Sequence, residues 1–412
     1  MPDTPKGIID FAVLNLSVPN VPTELTTVDR NYEDFIPFGS DNLFPQALIE
    51  LARNSSVHRG IINNKQIYVE GDGIVSDDPA TQKYLEAVNP QENLDEMAAN
   101  VELDYIFFGN AYIEVVTDAK RSFVNLFHKD GSKCRVSKDK KFILHHPDWS
   151  QYAATKPSTT KYPVWPEFGK VEGNKFLRSI YHLKQYEPGS EIYGIPSYIA
   201  GMNAAGIIYK TDKWNISRLD NSFKPSGILV VTGVQSTEDA IKFKQEFNDS
   251  FTGEGATGKI MAVFKTLGGE ETTFTAFDST FDGDWTQLHT QSESNIITAH
   301  SWFRSLSGIA DNTGFDTQRI RNEYEVAMST TIRKLQKFFV KKLNRLLRKE
   351  LGLNAKLYFK NSPPISIAGL LDVNAITKIF EGRKLLGLPY DETDVEQNKY
   401  IKSGGNTINI SK

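Results

Sequence analysis

The chain has 412 residues, enough for two or three domains at roughly 150 residues each and for a sizeable buried core. Its hydrophobic share of 39%, with 25 Phe and 16 Tyr, separates it from the low-hydrophobicity, high-charge chains that stay disordered. With 47 Lys and Arg against 51 Asp and Glu the net charge is -4, which excludes a uniformly basic nucleic-acid coat and confines any basic contact surface to a patch.

Residues 1–40 carry Pro2, Pro5, Pro19, Pro22 and Pro37 with little periodicity and read as an extended arm that orders against something else. Their start has no basic segment followed by an apolar run, and no stretch of the chain reaches the roughly 18 apolar residues of a membrane span. The expectation is a soluble protein made in the cytoplasm, with no membrane partner. Asp41 or Asn42 is placed to cap a helix through Pro45–Arg53, and a second helix runs from His58 to about Val69. From Asn93 a helix carries Leu94, Met97, Val101 and Tyr105, broken by Gly109-Asn110 before a strand over Ala111–Val116. Strand and loop alternate to about Tyr186, with an irregular stretch around Trp165 between Pro157, Pro163 and Pro166.

Ile195-Pro196 opens a long helix to about Leu219, and Gly201, Ala204, Ala205 and Gly206 on it allow close helix packing. A strand over Ser226–Val231, a helix over Thr237–Phe251 and a strand over Lys259–Phe264 form a compact insert. Asp284 is placed to cap the next helix, which carries Trp285, Leu288, Ile296, Ala299 and Phe303. Two glycines interrupt Ser305–Phe315, after which Gln318–Leu351 is the longest helical pattern, spanning roughly 50 Å. A strand at Lys356–Phe359 and an amphipathic helix over Asn374–Leu386 follow.

Motifs that carry chemistry are weak. Gly253 to Lys259 matches the G-x-x-x-x-G-K of a phosphate loop, but Ile260 stands where the magnesium-binding hydroxyl belongs, and helix precedes while strand follows, the reverse of what phosphate binding needs. Asp278, Asp282 and Asp284 fail the calcium-loop spacing and read as a solvated turn before a helix. His145-His146 lacks a metal-ligand spacing, and Cys134, the single cysteine, has no identified histidine partner, so no disulfide, cysteine cluster, catalytic residue, metal or cofactor is expected. The basic run is more informative. Lys334, Lys337, Lys341, Arg345 and Arg348 belong to a stretch with no acid before Glu350. Such single-sign charge fits phosphate contact, a solvated face, or pairing with acidic surfaces of a neighbouring subunit.

The order of elements, together with Phe38-Gly-Ser-Asp-Asn-Leu-Phe-Pro, Phe107-Phe-Gly-Asn-Ala-Tyr-Ile-Glu, Tyr193-Gly-Ile-Pro-Ser, Ile297-Thr-Ala-His-Ser-Trp-Phe-Arg-Ser-Leu-Ser-Gly-Ile and Arg321-Asn-Glu-Tyr-Glu, resembles the portal proteins of tailed bacteriophages. The similarity covers roughly residues 35 to 390, and the proline usual in the channel segment is missing near Ser305 to Gly308. The resemblance implies an α+β fold: an N-terminal arm (1–40), an α/β wing (41–195), two stem helices (196–222 and 283–303) bracketing a small α/β clip (223–282), a tunnel loop (304–317), a second wing part with the long helix and strand (318–370), and a short helical crown and tail (371–412). The loop residues Arg304, Ser305, Leu306, Ser307, Gly308, Ile309, Asp311, Asn312, Thr313, Gly314 and Phe315 are then expected to face a DNA channel, with phosphate contacts from Lys334, Lys337, Lys341, Arg345 and Arg348 as a second expectation. Such a protein has no chemistry of its own. It forms a homo-oligomeric ring, usually a dodecamer, at a unique capsid vertex of the virion, conducts double-stranded DNA without reading sequence, and meets the terminase large subunit, a head-tail connector, and the major capsid protein or scaffold. The rival readings are a packaging enzyme, either ATPase or metal-dependent nuclease, and a connector ring without a packaging role.

Overall fold

The structure, a computed structural model, describes residues 34–171, 175–221, 225–232, 238, 241–242, 259–265, 273–276, 282–308, 317–361, 378–385 and 389–394. The arm up to residue 33, most of the Thr237–Phe251 helix, Gly253–Gly258 and Ile309–Phe315 lie outside the described residues.

The end of the arm orders against the chain's own body. Ile36 N donates to Val136 O at 2.8 Å, and Phe38 stacks on Tyr193 with ring centroids 4.2 Å apart. Helix α1 (Phe44–Arg53) follows, but neither expected residue caps it. Asn42, with φ of 66°, turns its Oδ1 to Phe38 N and to Arg135 Nε, and Asp41 accepts from Leu43 N. Arg135 is wholly buried without a carboxylate; Asn42, Ser132 and Cys134 carbonyls take its donors, so a buried charge is tolerated because its N–H groups are satisfied.

Helix α2 (Ser56–Glu70), strand β1 (Ile74–Ser76) and helix α3 (Pro79–Leu85) lead to α4 (Leu94–Phe108). The α4 start is fixed by a capping box between Asn93 and Glu96, and Gly109 closes its end in the left-handed region. Strand β2 (Asn110–Thr117) is buried along its whole length. With β3 (Val124–Lys129), β7 (Gly169–Lys170) and β8 (Leu177–Lys184) it forms an antiparallel sheet of order β3-β2-β8-β7. Strands β4 (Cys134–Val136), β5 (Phe142–His145) and β6 (Thr160–Pro163) form a second antiparallel sheet, with the short helix α5 (Tyr152–Thr155) between β5 and β6.

Two of the motifs that carry the resemblance touch each other. Asn110 Nδ2 donates to Gly194 O and its Oδ1 accepts from Gly194 N, both at 2.7 Å. A Cβ at Gly194 would lie 2.0 Å from Gly109 O, so only glycine lets the two chains approach.

The helix expected from Pro196 begins later. A 3-10 turn over Ile199–Gly201 precedes α6 (Met202–Asn221). In the insert, β9 (Pro225–Thr232) pairs in parallel with β10 (Lys259–Lys265), as a strand-helix-strand unit requires. A third strand, β11 (Thr273–Ala276), pairs antiparallel to β9 and was not expected. Helix α7 (Asp282–Ala299) takes in Asp284 rather than being capped by it. It stops before Phe303, since Ser301 has φ of 50°.

The expected single long helix is three segments: α8 (Thr317–Ala327), a π-helical turn over Met328–Ile332, and α9 (Arg333–Leu351). Ser329 and Thr330 hydroxyls both donate to Val326 O there, local bonds that compete with the regular helical ladder. Strand β12 (Leu357–Phe359) then pairs antiparallel with β1, and α10 (Ile379–Leu385) is the described part of the last expected helix.

Candidate functional site: the root of the inter-helix loop

Helices α6 and α7 run antiparallel, because Gly201 before the start of α6 meets Ala299 at the end of α7, while Asp212 lies 3.7 Å from His289 further along. A Cβ at Gly201 would sit 2.8 Å from the Ala299 Cβ. Gly201, Ala204, Ala205 and Gly206 are all buried within the single chain. They therefore join this subunit's own helices and leave no small-residue surface over for a neighbouring one.

At the lower end of this pair, α7 hands over to the loop across a buried polar junction. His58 Nδ1 and His300 Nε2 lie 2.9 Å apart, and Tyr198 stacks against the His300 ring at 4.8 Å. Lys65 donates to His300 O and lies 5.7 Å above the Trp302 ring. Burial, with Lys65 and Arg59 nearby, lowers the His58 pKa to about 4; burial lowers Lys65 to about 7, and burial with Lys65 and His58 holds His300 well below the ordinary histidine range. Both rings are neutral at pH 7, one donating to the other.

The loop leaves this junction tied on three sides. Asn64 Nδ2 on α2 donates to Leu306 O at 3.0 Å, Ser305 Oγ donates to Glu323 on α8, and Arg304 lies 3.5 Å from Glu293 on α7. Glu323 in turn pairs with Arg319 at 2.8 Å. Leu306 is buried, Ser307 donates to Phe303 O, and Gly308 takes φ of 73°. The expected channel residue Arg304 thus spends its charge on Glu293. Ile309, Asp311, Asn312, Thr313, Gly314 and Phe315 lie outside the described residues.

The basic run forms a separate surface. Lys334, Lys337, Lys341, Arg345 and Arg348 are exposed along α9. Arg345 and Lys349 lie 5.5 and 5.0 Å over the Trp165 ring, and Lys342 lies 5.3 Å over Phe338. Trp165 Nε1 donates to the buried Glu350, which also pairs with Arg121 at 2.8 Å. The irregular stretch around Trp165 is therefore the seat of the α9 C-terminus.

The histidine–lysine junction carries no sequence motif, since His58 and His300 are far apart in the chain. One signal was present: Lys65 falls on the apolar stripe of α2 with Ile61, Ile62 and Val69. Of the weaker candidates, Cys134 is buried with its thiol pKa pushed up by burial, His146 Nε2 is 3.1 Å from Thr155 O, Lys259 opens β10, and Asp282 and Asp284 lie in α7. Among the described residues no His, Cys, Asp and Glu group is arranged to hold a metal, and no helix is long and apolar enough to cross a membrane.

An α+β body, an antiparallel helix pair bracketing a small sheet, and a loop tethered where that pair returns define a subunit organised around a helical stem rather than around a cleft. The chain belongs to the phage portal protein family, whose profile matches residues 62–363. Uncharacterised proteins of Rickettsia bellii (strain RML369-C) and Rickettsia felis (strain ATCC VR-1525 / URRWXCal2) are 24% and 22% identical over 241 residues, 58% of this chain and 58% of each relative. The chain thus spans less than two thirds of the length of these curated relatives. The fold is similar to the neck of an empty GTA particle computed with C6 symmetry, with TM-score 0.58 and 16% identity over 85% of this chain and 95% of that one. It is also similar to the neck of a native GTA particle computed with C12 symmetry, with TM-score 0.54 and 16% identity over 84% and 95%.

Proposed function

We propose that this chain is one protomer of a portal ring at a capsid vertex, a conduit through which double-stranded DNA enters and leaves. In this reading residues 41–195 and 318–370 are the wing, 196–222 and 283–303 the stem, 223–282 the clip, 304–317 the tunnel loop and 371–412 the crown. The observation that carries it is the antiparallel α6/α7 pair, which brackets the small three-stranded sheet in the chain and leads into a loop pinned to α2, α7 and α8. A conduit needs a wall that touches phosphates without holding bases, since tight sequence-specific contacts would stall translocation. The ring is a homododecamer, the clip receives the terminase large subunit during packaging and a head-tail connector afterwards, and the wing faces the major capsid protein or scaffold. The protein performs no reaction itself.

Electron micrographs of the purified protein test the reading. Closed rings with a central channel and twelve-fold symmetry are expected. A species that stays monomeric across a wide range of concentration and salt refutes it.

A further inference from the structure

The wing carries two surfaces of opposite charge. Beyond edge strand β3, Leu126 N donates to Val88 O at 2.9 Å and Asn89 Nδ2 donates to Leu126 O at 2.8 Å, so the chain from Tyr84 to Glu92 lies along that edge. From Glu86 to Glu96 this segment holds four carboxylates, Glu86, Glu92, Asp95 and Glu96, and no base. Glu86 and Glu96 are exposed, and the other two are half-buried. Trp165 N donates to Ile180 O of β8, and α9 lies across the sheet, with Arg345 and Lys349 on Trp165, Lys342 at 6.0 Å from the Tyr181 ring, Phe339 and Leu343 beside Ile113 of β2 and Met97 of α4, and its basic line exposed.

From Arg333 to Lys349 there are eight bases and no acid. The spacing of Lys334, Lys337, Lys341, Arg345 and Arg348 puts them on one line of α9, about 21 Å long. Among the described residues, neither this line nor the four carboxylates form an ion pair inside the subunit, although Glu92, Asp95 and Glu96 accept hydrogen bonds from Asn89, Ile74 and Asn93 and keep their charge uncompensated. Elsewhere the same subunit pairs its charges readily, as Arg319 with Glu323 and Arg321 with Glu325 on α8.

We propose that the α9 stripe of one subunit docks on the Glu86–Glu96 edge of the next, so that a charged wing seam fixes register around the ring. The inference rests on the portal reading above. A cyclic assembly joins two different surfaces of each subunit head to tail, and two separate surfaces of opposite sign that form no ion pair within the subunit meet that requirement. Phosphate contact fits the stripe less well. Counted along the helix, Lys334 to Arg348 stand roughly 25 to 45 Å from the loop end of α8, and the charges on α8 nearest the loop are already neutralised in pairs. Such a seam weakens as salt rises.

The test uses the full-length chain with Lys337→Glu/Lys341→Glu, with Glu86→Lys/Glu92→Lys, and with all four changes together. Melting curves establish that each variant folds; sedimentation then measures ring formation from low to high salt, and a gel shift with double-stranded DNA measures DNA binding. Each reversed pair is expected to raise the concentration for half-assembly by about tenfold or more, and the fourfold variant to return it to within about threefold of the wild type. Two reversed variants that assemble as the wild type does overturn the seam, as does a fourfold variant no better than either parent. Intact rings that have lost DNA binding assign the stripe to phosphate instead. A wild-type chain that never forms rings refutes the portal reading itself, a result distinct from intact rings in both reversed variants.

Discussion

Glu102 places a carboxyl in the wing core, where its Oε2 has no hydrogen-bond partner and Met97, Val101, Ile113, Leu183, Phe339 and Leu343 line a cavity of about 10 Å³ beside it. Burial, with Glu70 and Asp95 nearby, raises its pKa well above the carboxylate range, so the folded state keeps a proton that the unfolded chain releases. Its contribution is therefore full below the unfolded pKa and lost as pH rises through the folded one. Glu102→Gln is expected to raise the melting temperature by a few degrees at pH 8 and by less at pH 5, checked by thermal unfolding at the two values. The loop-root histidines act in the opposite direction. Their depressed pKa values give stability that is fully present above the ordinary histidine pKa and lost as pH falls toward about 4, the value for His58. Lys65, Arg59, Tyr198 and Trp302 face this pair and supply no carboxylate to hold added charge. Protection factors of residues 300–308, with the intrinsic pH dependence of exchange divided out, should fall as pH drops from 6.5 to 4, by on the order of a few kcal/mol of local stability; His58→Gln should flatten the dependence, and an unchanged profile in that variant would count against the assignment. Periodicity shows that Lys65 and Glu102 lie near apolar faces, but it cannot show that Lys65 finds His300 O while Glu102 Oε2 finds no partner, because the groups that could meet them come from distant segments.

Among the elements, capping and periodicity located most helices to within a few residues, as with α4 between Asn93 and Gly109. Three departures have identifiable causes. Asn42 serves Arg135 instead of α1, a 3-10 turn delays α6, and hydroxyl bonds at Ser329 and Thr330 accompany the π turn between α8 and α9. The α6/α7 contact depends on one absent methyl group. Gly201→Leu is expected to destabilise the chain by about 1–3 kcal/mol through overpacking against Ala299 and the α7 backbone at Ile296. In a denaturant series, Gly201→Ala should cost less, and combining it with Ala299→Gly should recover much of the loss. If the double variant is no more stable than Gly201→Ala alone, the helices are not held by this contact.

For the whole molecule, the anchors at Asn64, Glu293 and Glu323 hold the first residues of the loop independently of its tip. Deleting Asp311 to Gly314 should therefore leave ring assembly intact while impairing DNA packaging or retention, measured as the DNA content and infectivity of assembled particles. Normal filled particles from that variant would remove the loop from the channel. Ring closure also requires a surface not already consumed within the subunit. Gly201, Ala204, Ala205 and Gly206 are buried within the subunit, so the two charged surfaces of the wing supply that surface in the proposed seam.

The sequence by itself determined the α+β class, the helix-insert-helix order and the family, because hydrophobic spacing, helix ends and short motifs are properties of neighbouring residues. It also spoke against a working phosphate loop, since a missing hydroxyl at Ile260 and a reversed order of helix and strand are local features of the sequence. Tertiary structure decided which groups meet. It brought Asn110 to Gly194, His58 to His300 and Trp165 to Glu350, and bound Arg304 to Glu293. Those pairings depend on how far burial strips water from a group and on which distant chain replaces it, and neither quantity is written in local spacing.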